Sequence, residues 1–228
     1  MAEILIIVFA LFFAGAILLL ERHSLGKLAF VQPLVLLLIT GYITGEPEIA
    51  LWLGISLQLL SIGQSHYCNW ALVSFVSSAT LIILHHYNIV ITDGSAESLV
   101  LIIASIVSGI LSELYLKKMI RKNAIPMNAN AVWQTVGSLD IFAKIIYKNL
   151  AKGFVLGGIE SLLGTLITTI LVYGSYGVIT ARPFISELVI ITVPLFGVSV
   201  TLAAMSRKRY TVMAILGVIL FFIMVRFL

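Results

Sequence analysis

Uncharged stretches long enough to form whole helices dominate this chain and leave it few ways to fold. No Asp, Glu, Lys or Arg occurs from Trp70 to Ile91, from Leu99 to Ser112 or from Ser161 to Ala181. A bilayer core about 30 Å thick takes roughly 20 apolar residues per helix, and several runs approach or reach that length. Only 11% of the 228 residues are charged and 61% are hydrophobic. Soluble domains carry about a quarter charged residues, so this chain has too few to cover a water-facing surface. The pattern implies one all-α, polytopic membrane domain over 1–228, with no room for a separate soluble catalytic module. The single cysteine, Cys68, excludes an internal disulfide and offers no metal cluster.

Six full spans are expected: Ile4–Leu20, Trp70–Ile91, Leu99–Leu116, Phe154–Thr180, Leu188–Ser206 and Tyr210–Leu228. The first is not a cleaved leader in this reading. Only Glu3 precedes it as a charge, and Glu21, Arg22 and His23 follow where small residues would be needed. Between the first two spans lie two half-length apolar stretches, Pro33 to Gly45 and Ile49 to Gly63, broken by Glu46-Pro47-Glu48. They predict a re-entrant helical hairpin over 33–63, since non-helical backbone at membrane depth must be buried in protein or line a wet cavity. Two ordinary short helices in a thinned bilayer are the alternative, because mismatch costs only fractions of a kcal/mol per Å.

The segment Lys117–Lys152 holds half of the fourteen basic residues. Lys144, Lys148 and Lys152 repeat every four positions, which predicts an amphipathic helix lying on the cytoplasmic membrane surface. Placing this loop and Arg207-Lys208-Arg209 inside sets the orientation. Counting outward from them, Arg22 and Lys27 fall inside, and the Asp93/Glu97 loop and both termini fall outside. The net charge of +4 lies beside helices, where anionic lipid accounts for it, so no nucleic-acid partner is expected.

Enzyme signatures are missing: the chain has no phosphate-cradling Gly-x-x-x-x-Gly-Lys-Ser/Thr, no His-Glu-x-x-His and no Gly-x-Ser-x-Gly. His85 and His86 diverge by about 100° on a helix and cannot chelate together. No catalytic residue, metal site or cofactor is therefore expected. Polar groups at membrane depth are the informative ones. Gln58 lies within the hairpin, and Gln64, Ser65, His66 and Asn69 follow it. Neutral amide, hydroxyl and imidazole groups both donate and accept, which suits a polyhydroxylated ligand. They equally suit satisfying broken backbone or joining helices. Glu160, in a small-residue span with Gly157, Gly158, Ser161 and Gly164, is a further intramembrane candidate that needs a partner or water. Glu113 precedes Lys117 by four, the spacing of a helical ion pair.

Pro33-Leu34, Gly41, Gly45-Glu46, Gly54-Ile55-Ser56-Leu57-Gln58 and Gly63 have a further significance. Their spacing resembles the IIC permease subunit of the mannose/fructose/sorbose class of the bacterial sugar phosphotransferase system. The likeness covers the N-terminal third well and the rest loosely. Where that family has a glutamate this chain has Gln58, and the stretch after Gly63 is shorter and lacks the family's acid. The resemblance implies a multi-pass protein of the bacterial cytoplasmic membrane that binds a hexose and carries it inward. It also implies an oligomeric complex with a IID-type membrane subunit, and cytoplasmic IIA and IIB phosphocarriers that supply the phosphate. Gln58, Gln64, Ser65, His66 and Asn69 would contact the sugar, and Pro33, Gly41, Gly45, Gly54 and Gly63 would pack the hairpin. A non-transporting scaffold or sensor, and an unrelated small transporter sharing the Pro-Gly pattern, are the alternatives.

Overall fold

The computed structural model describes residues 2–24, 32–63, 68–89, 91–92, 95–131 and 139–175, together with 190, 191, 193–195, 197 and 198. Every regular element among them is helical: α1 (Ala2–Ser24), α2 (Pro33–Thr44), α3 (Pro47–Gly63), α4 (Trp70–His86), α5 (Ala96–Ala131) and α6 (Leu139–Ser175). Two stretches, Glu97–Lys118 and Leu150–Ser175, are long and apolar enough to cross a membrane. Leu5–Ile17, Pro33–Thr44, Pro47–Ser61 and Trp70–His86 are apolar but shorter. Most of the two C-terminal spans expected from sequence lies outside the described residues.

Turn chemistry explains the helical hairpin. Gly45 takes the left-handed conformation (φ 72°, ψ 14°) that ends α2, and Glu46 N–H donates back to Gly41 O at 3.0 Å. Glycine is favoured there because a Cβ would crowd the following carbonyl. Pro47 then opens α3 at a first-turn position, where a missing N–H costs nothing. With only Gly45 and Glu46 between them, the two helices fold back on one another. Gly41 makes this close: a Cβ there would lie 2.5 Å from Ala50 Cβ. Gly54 does the same further down, 3.2 Å from Leu34 Cα.

Helix α4 is the centre of the bundle, with α1, α2, α5 and α6 all packed against it. Each residue from Leu72 to Leu81 is buried, so the helix has no solvent face and needs none of the amphipathic pattern of a surface helix. Ser74, Ser77, Ser78, Ala79 and Thr80 keep its girth small enough for four neighbours. It stops at His86, short of the Ile91 expected from hydrophobicity. Asn88 adopts positive φ (56°), and Asn88 N–H and Ile89 N–H donate to His85 O and Leu84 O at 2.9 Å each. That is a Schellman ending, with Leu84 and Ile89 in one apolar cluster.

Two further expectations are corrected. Residues 139–152 do not form a separate surface helix but are the first turns of α6, and 117–131 continue α5. The four-residue lysine spacing is as compatible with a helix that continues as with one that lies flat, and Gly153 alone does not break it. The direction of α1 also differs from the count of alternating spans. Phe12 packs on Gly158 and Gly15 on Ser161; the pairs advance together, so α1 runs parallel to α6, not opposite to it. The packing itself is the reason: Gly15 and Gly158 admit Ser161 and Phe12, and Ser161 Oγ donates to Leu11 O at 3.2 Å. The hairpin tip sits at the C-terminal end of α4, where Glu46 Oε1 is 3.4 Å from His85 Nδ1. Its first arm, α2, has 12 residues, whereas α3 has 17 and equals α4 in length.

The offset between Phe12 and Gly158 places Ala2 level with Lys148. In a Cys68→Ala background, Ala2→Cys and Lys148→Cys should therefore react with an impermeant maleimide from the same side of sealed vesicles. Labelling from opposite sides would contradict the parallel arrangement.

Candidate functional site

The first turn of α4 gathers several polar hydrogen bonds between helices. Helix starts leave backbone N–H groups without partners in the helix. Asn69 serves as the cap: its Oδ1 accepts from Leu72 N–H at 3.4 Å. Its own N–H donates across to Gly109 O of α5 at 3.0 Å, and the Cys68 thiol donates to Ile106 O at 3.7 Å. Gly109 permits this approach, since a Cβ there would lie 2.5 Å from Val73 Cγ2 and 2.6 Å from Cys68 Sγ.

From Asn69 a chain of side chains leads to α6. Asn69 Nδ2 donates to Ser112 Oγ at 3.0 Å, and Ser112 Oγ donates to Glu160 Oε2 at 2.6 Å. Asn69 and Ser112 are buried, and Glu160 is half-buried. Both donors in the series point towards Glu160, so its carboxyl group accepts at the end of the line. Three helices are joined by one line of hydrogen bonds. Chemically, the arrangement ties an oriented carboxyl group through a serine hydroxyl to a buried amide.

Of the residues expected from sequence to contact a ligand, Asn69 is in this line and Gln58 is elsewhere. Gln58 Oε1 accepts from Leu34 N–H at 3.4 Å, which caps the start of α2 just after the buried Pro33. Gln64, Ser65 and His66 lie outside the described residues. Gly41, Gly45 and Gly54 occupy the turn and contact positions given above, and Gly63 closes α3. Glu113 is buried and lies 3.7 Å from Lys117 Nζ. His85 and His86 are exposed; the first faces Glu46, and the second packs its ring edge-on against Tyr87. Among the described residues no three His, Cys, Asp or Glu side chains gather as metal ligands would.

Sequence reasoning missed Ser112 and Gly109. A signal was present: Ser105, Ser108, Gly109 and Ser112 recur at helical three-to-four spacing, marking one narrow face of α5. That face meets α4, where Ser77 Oγ donates to Ser105 Oγ at 3.0 Å.

Asn69→Leu removes the cap and its bridge, and should lower stability by about 1–2 kcal/mol. Gly109→Val should cost about 1–3 kcal/mol through overpacking against Cys68 and Val73. Both are read as lower melting midpoints in mild detergent; midpoints equal to the parent's would show that this contact does not hold α4 to α5. No protein-family model, no curated protein and no solved structure matches the chain, so the reading of the site rests on its own chemistry.

Proposed function

We propose that this chain is a membrane permease subunit of the bacterial sugar phosphotransferase type, multi-pass in the cytoplasmic membrane. Its role is to bind a hexose and carry it inward beside a IID-like partner. The observation that carries this reading is the α2–α3 hairpin, a pair of apolar helices turned at Gly45–Pro47, followed in the chain by the helix whose start carries the Asn69–Ser112–Glu160 line. Transporters commonly place their sites where helices are interrupted within the membrane, because freed backbone groups and inward-facing polar side chains meet there. The six-span count and the hairpin's re-entrant placement belong to the same proposal. The exposed aliphatic side chains of Ile103, Leu111, Leu163, Leu166 and Ile170 on α5 and α6 suit contact with lipid tails.

The site would recognise hydroxyl groups without a bound metal. Asn69 offers an amide, and Glu160 offers the carboxyl group that Gln58 lacks at the hairpin itself. Phosphoryl transfer is assigned to cytoplasmic IIA and IIB partners, which leaves this chain the tasks of binding, orientation and release. One observation favours a non-transporting scaffold instead: Gln58 and Asn69 both spend hydrogen bonds on helix starts. The two readings separate in a single experiment.

Affinity purification in mild detergent should recover a IID-like chain, and the reconstituted complex with IIA and IIB should accumulate sugar phosphate. Glu160→Gln should lower that uptake at least tenfold while the complex still assembles. Assembly without uptake in the parent complex would favour the scaffold. Recovery of this chain alone would remove the phosphotransferase assignment.

A further inference from the structure

Hydroxyl side chains in these helices mostly bond back to their own backbone. Thr40, Ser56, Ser74 and Ser108 each donate to the carbonyl four residues earlier, at 2.7–3.0 Å. Thr80 and Thr168 do not. Both are completely buried, and their hydroxyls, like those of Ser78, Thr165 and Thr169, have no hydrogen-bond partner among the described residues. Leaving such a group unsatisfied is costly, so native structures pair it with protein or with ordered water.

Their register puts them at one level of the α4–α6 contact. Helices α4 and α6 run in the same direction, because Asn69 connects through Ser112 to Glu160 and Val76 lies against Gly164 further along. At Gly164 a Cβ would be 2.9 Å from Val76 Cγ2 and 3.6 Å from Ser108 Oγ. One turn beyond that contact, Val76 is succeeded by Thr80 and Gly164 by Thr168, at the same level and on the same faces. The α4–α6 contact therefore has a polar layer at Glu160, an apolar contact at Val76–Gly164 and a second polar layer at Thr80 and Thr168.

We propose that the Thr80–Thr168 layer is a water-binding site inside the bundle, and that Val76 over Gly164 is an apolar constriction separating it from Glu160. Two hydroxyls, each able to donate and accept, supply the several polar contacts that a buried water needs. A constriction one side chain thick admits or excludes water with small movements of α4 against α6, as hydrophobic gates do. The inference concerns hydration of this contact and does not rest on the chain carrying sugar.

The test uses the full chain in lipid nanodiscs, in a Cys68→Ala background, with silver ion as a small hydrated probe of thiol access. Single Thr80→Cys and Thr168→Cys variants should be modified at least tenfold faster than Leu72→Cys and Leu101→Cys, which replace equally buried apolar side chains. Rates equal to those controls overturn the proposal. A double Thr80→Val, Thr168→Val variant gives an independent reading, since the swap keeps shape and removes only the hydroxyls. Loss of the water's partners should lower the melting midpoint. An unchanged or raised midpoint marks a dry contact and also overturns it.

Discussion

A helix buried on every side cannot leave its ends to water, and α4 shows how that constraint organises the molecule. Its first turn needs acceptors for backbone N–H groups, and Asn69 provides one within the chain's own local structure. Asn69 N–H then needs an acceptor too, and finds it in a carbonyl of α5. The cap thus becomes a contact between helices. At the other end, Asn88 turns the chain through a left-handed conformation so that the last carbonyls are met by Asn88 and Ile89. Both ends are closed by short-range chemistry, and that fixes the length of the central helix at 17 residues.

Small side chains are the second half of that arrangement. Serine, glycine and threonine along α4, α5 and α6 let backbones approach, and close approach is what allows Ser77 to reach Ser105 and Ser112 to reach both Asn69 and Glu160. Hydrogen bonds between buried helices are individually modest, averaging about 0.6 kcal/mol in membrane proteins where they have been measured. Their value lies in direction: a line of donors ending on Glu160 orients its carboxyl group more sharply than packing alone would. The same residues therefore serve stability first and supply a candidate site as a consequence.

The hairpin obeys the same rule by different means. Gly45 and Pro47 close its tip, Gln58 caps the start of α2, and Glu46 meets His85 in the last turn of α4. Because α2 is short, it starts partway along the bundle, whereas α3 equals α4 in length. The parallel course of α1 and α6 is compatible with this, since the chain need not reach one face of the bundle before α2 begins. Two described residues near the C-terminal end also meet α3: Trp52 Nε1 donates to Ile190 O at 3.0 Å and Gly197 packs on Leu59.

By itself the sequence determined the all-helical character and the hairpin's turn. Composition, the Gly45-Glu46-Pro47 junction and the Glu113–Lys117 spacing act over a few residues, and such local effects can be read one at a time. It also singled out Gln58, Asn69 and Glu160 as polar groups in apolar surroundings, but not what each one touches. Only the tertiary structure decided that Gln58 closes α2 and that Asn69 reaches Glu160 through Ser112. Those bonds join residues 24, 43 and 48 positions apart, and no local pattern specifies which faces of three helices will meet. Tertiary packing likewise decided the direction of α1, because the contacts of Phe12 with Gly158 and of Gly15 with Ser161 join residues 146 positions apart (158 − 12 and 161 − 15).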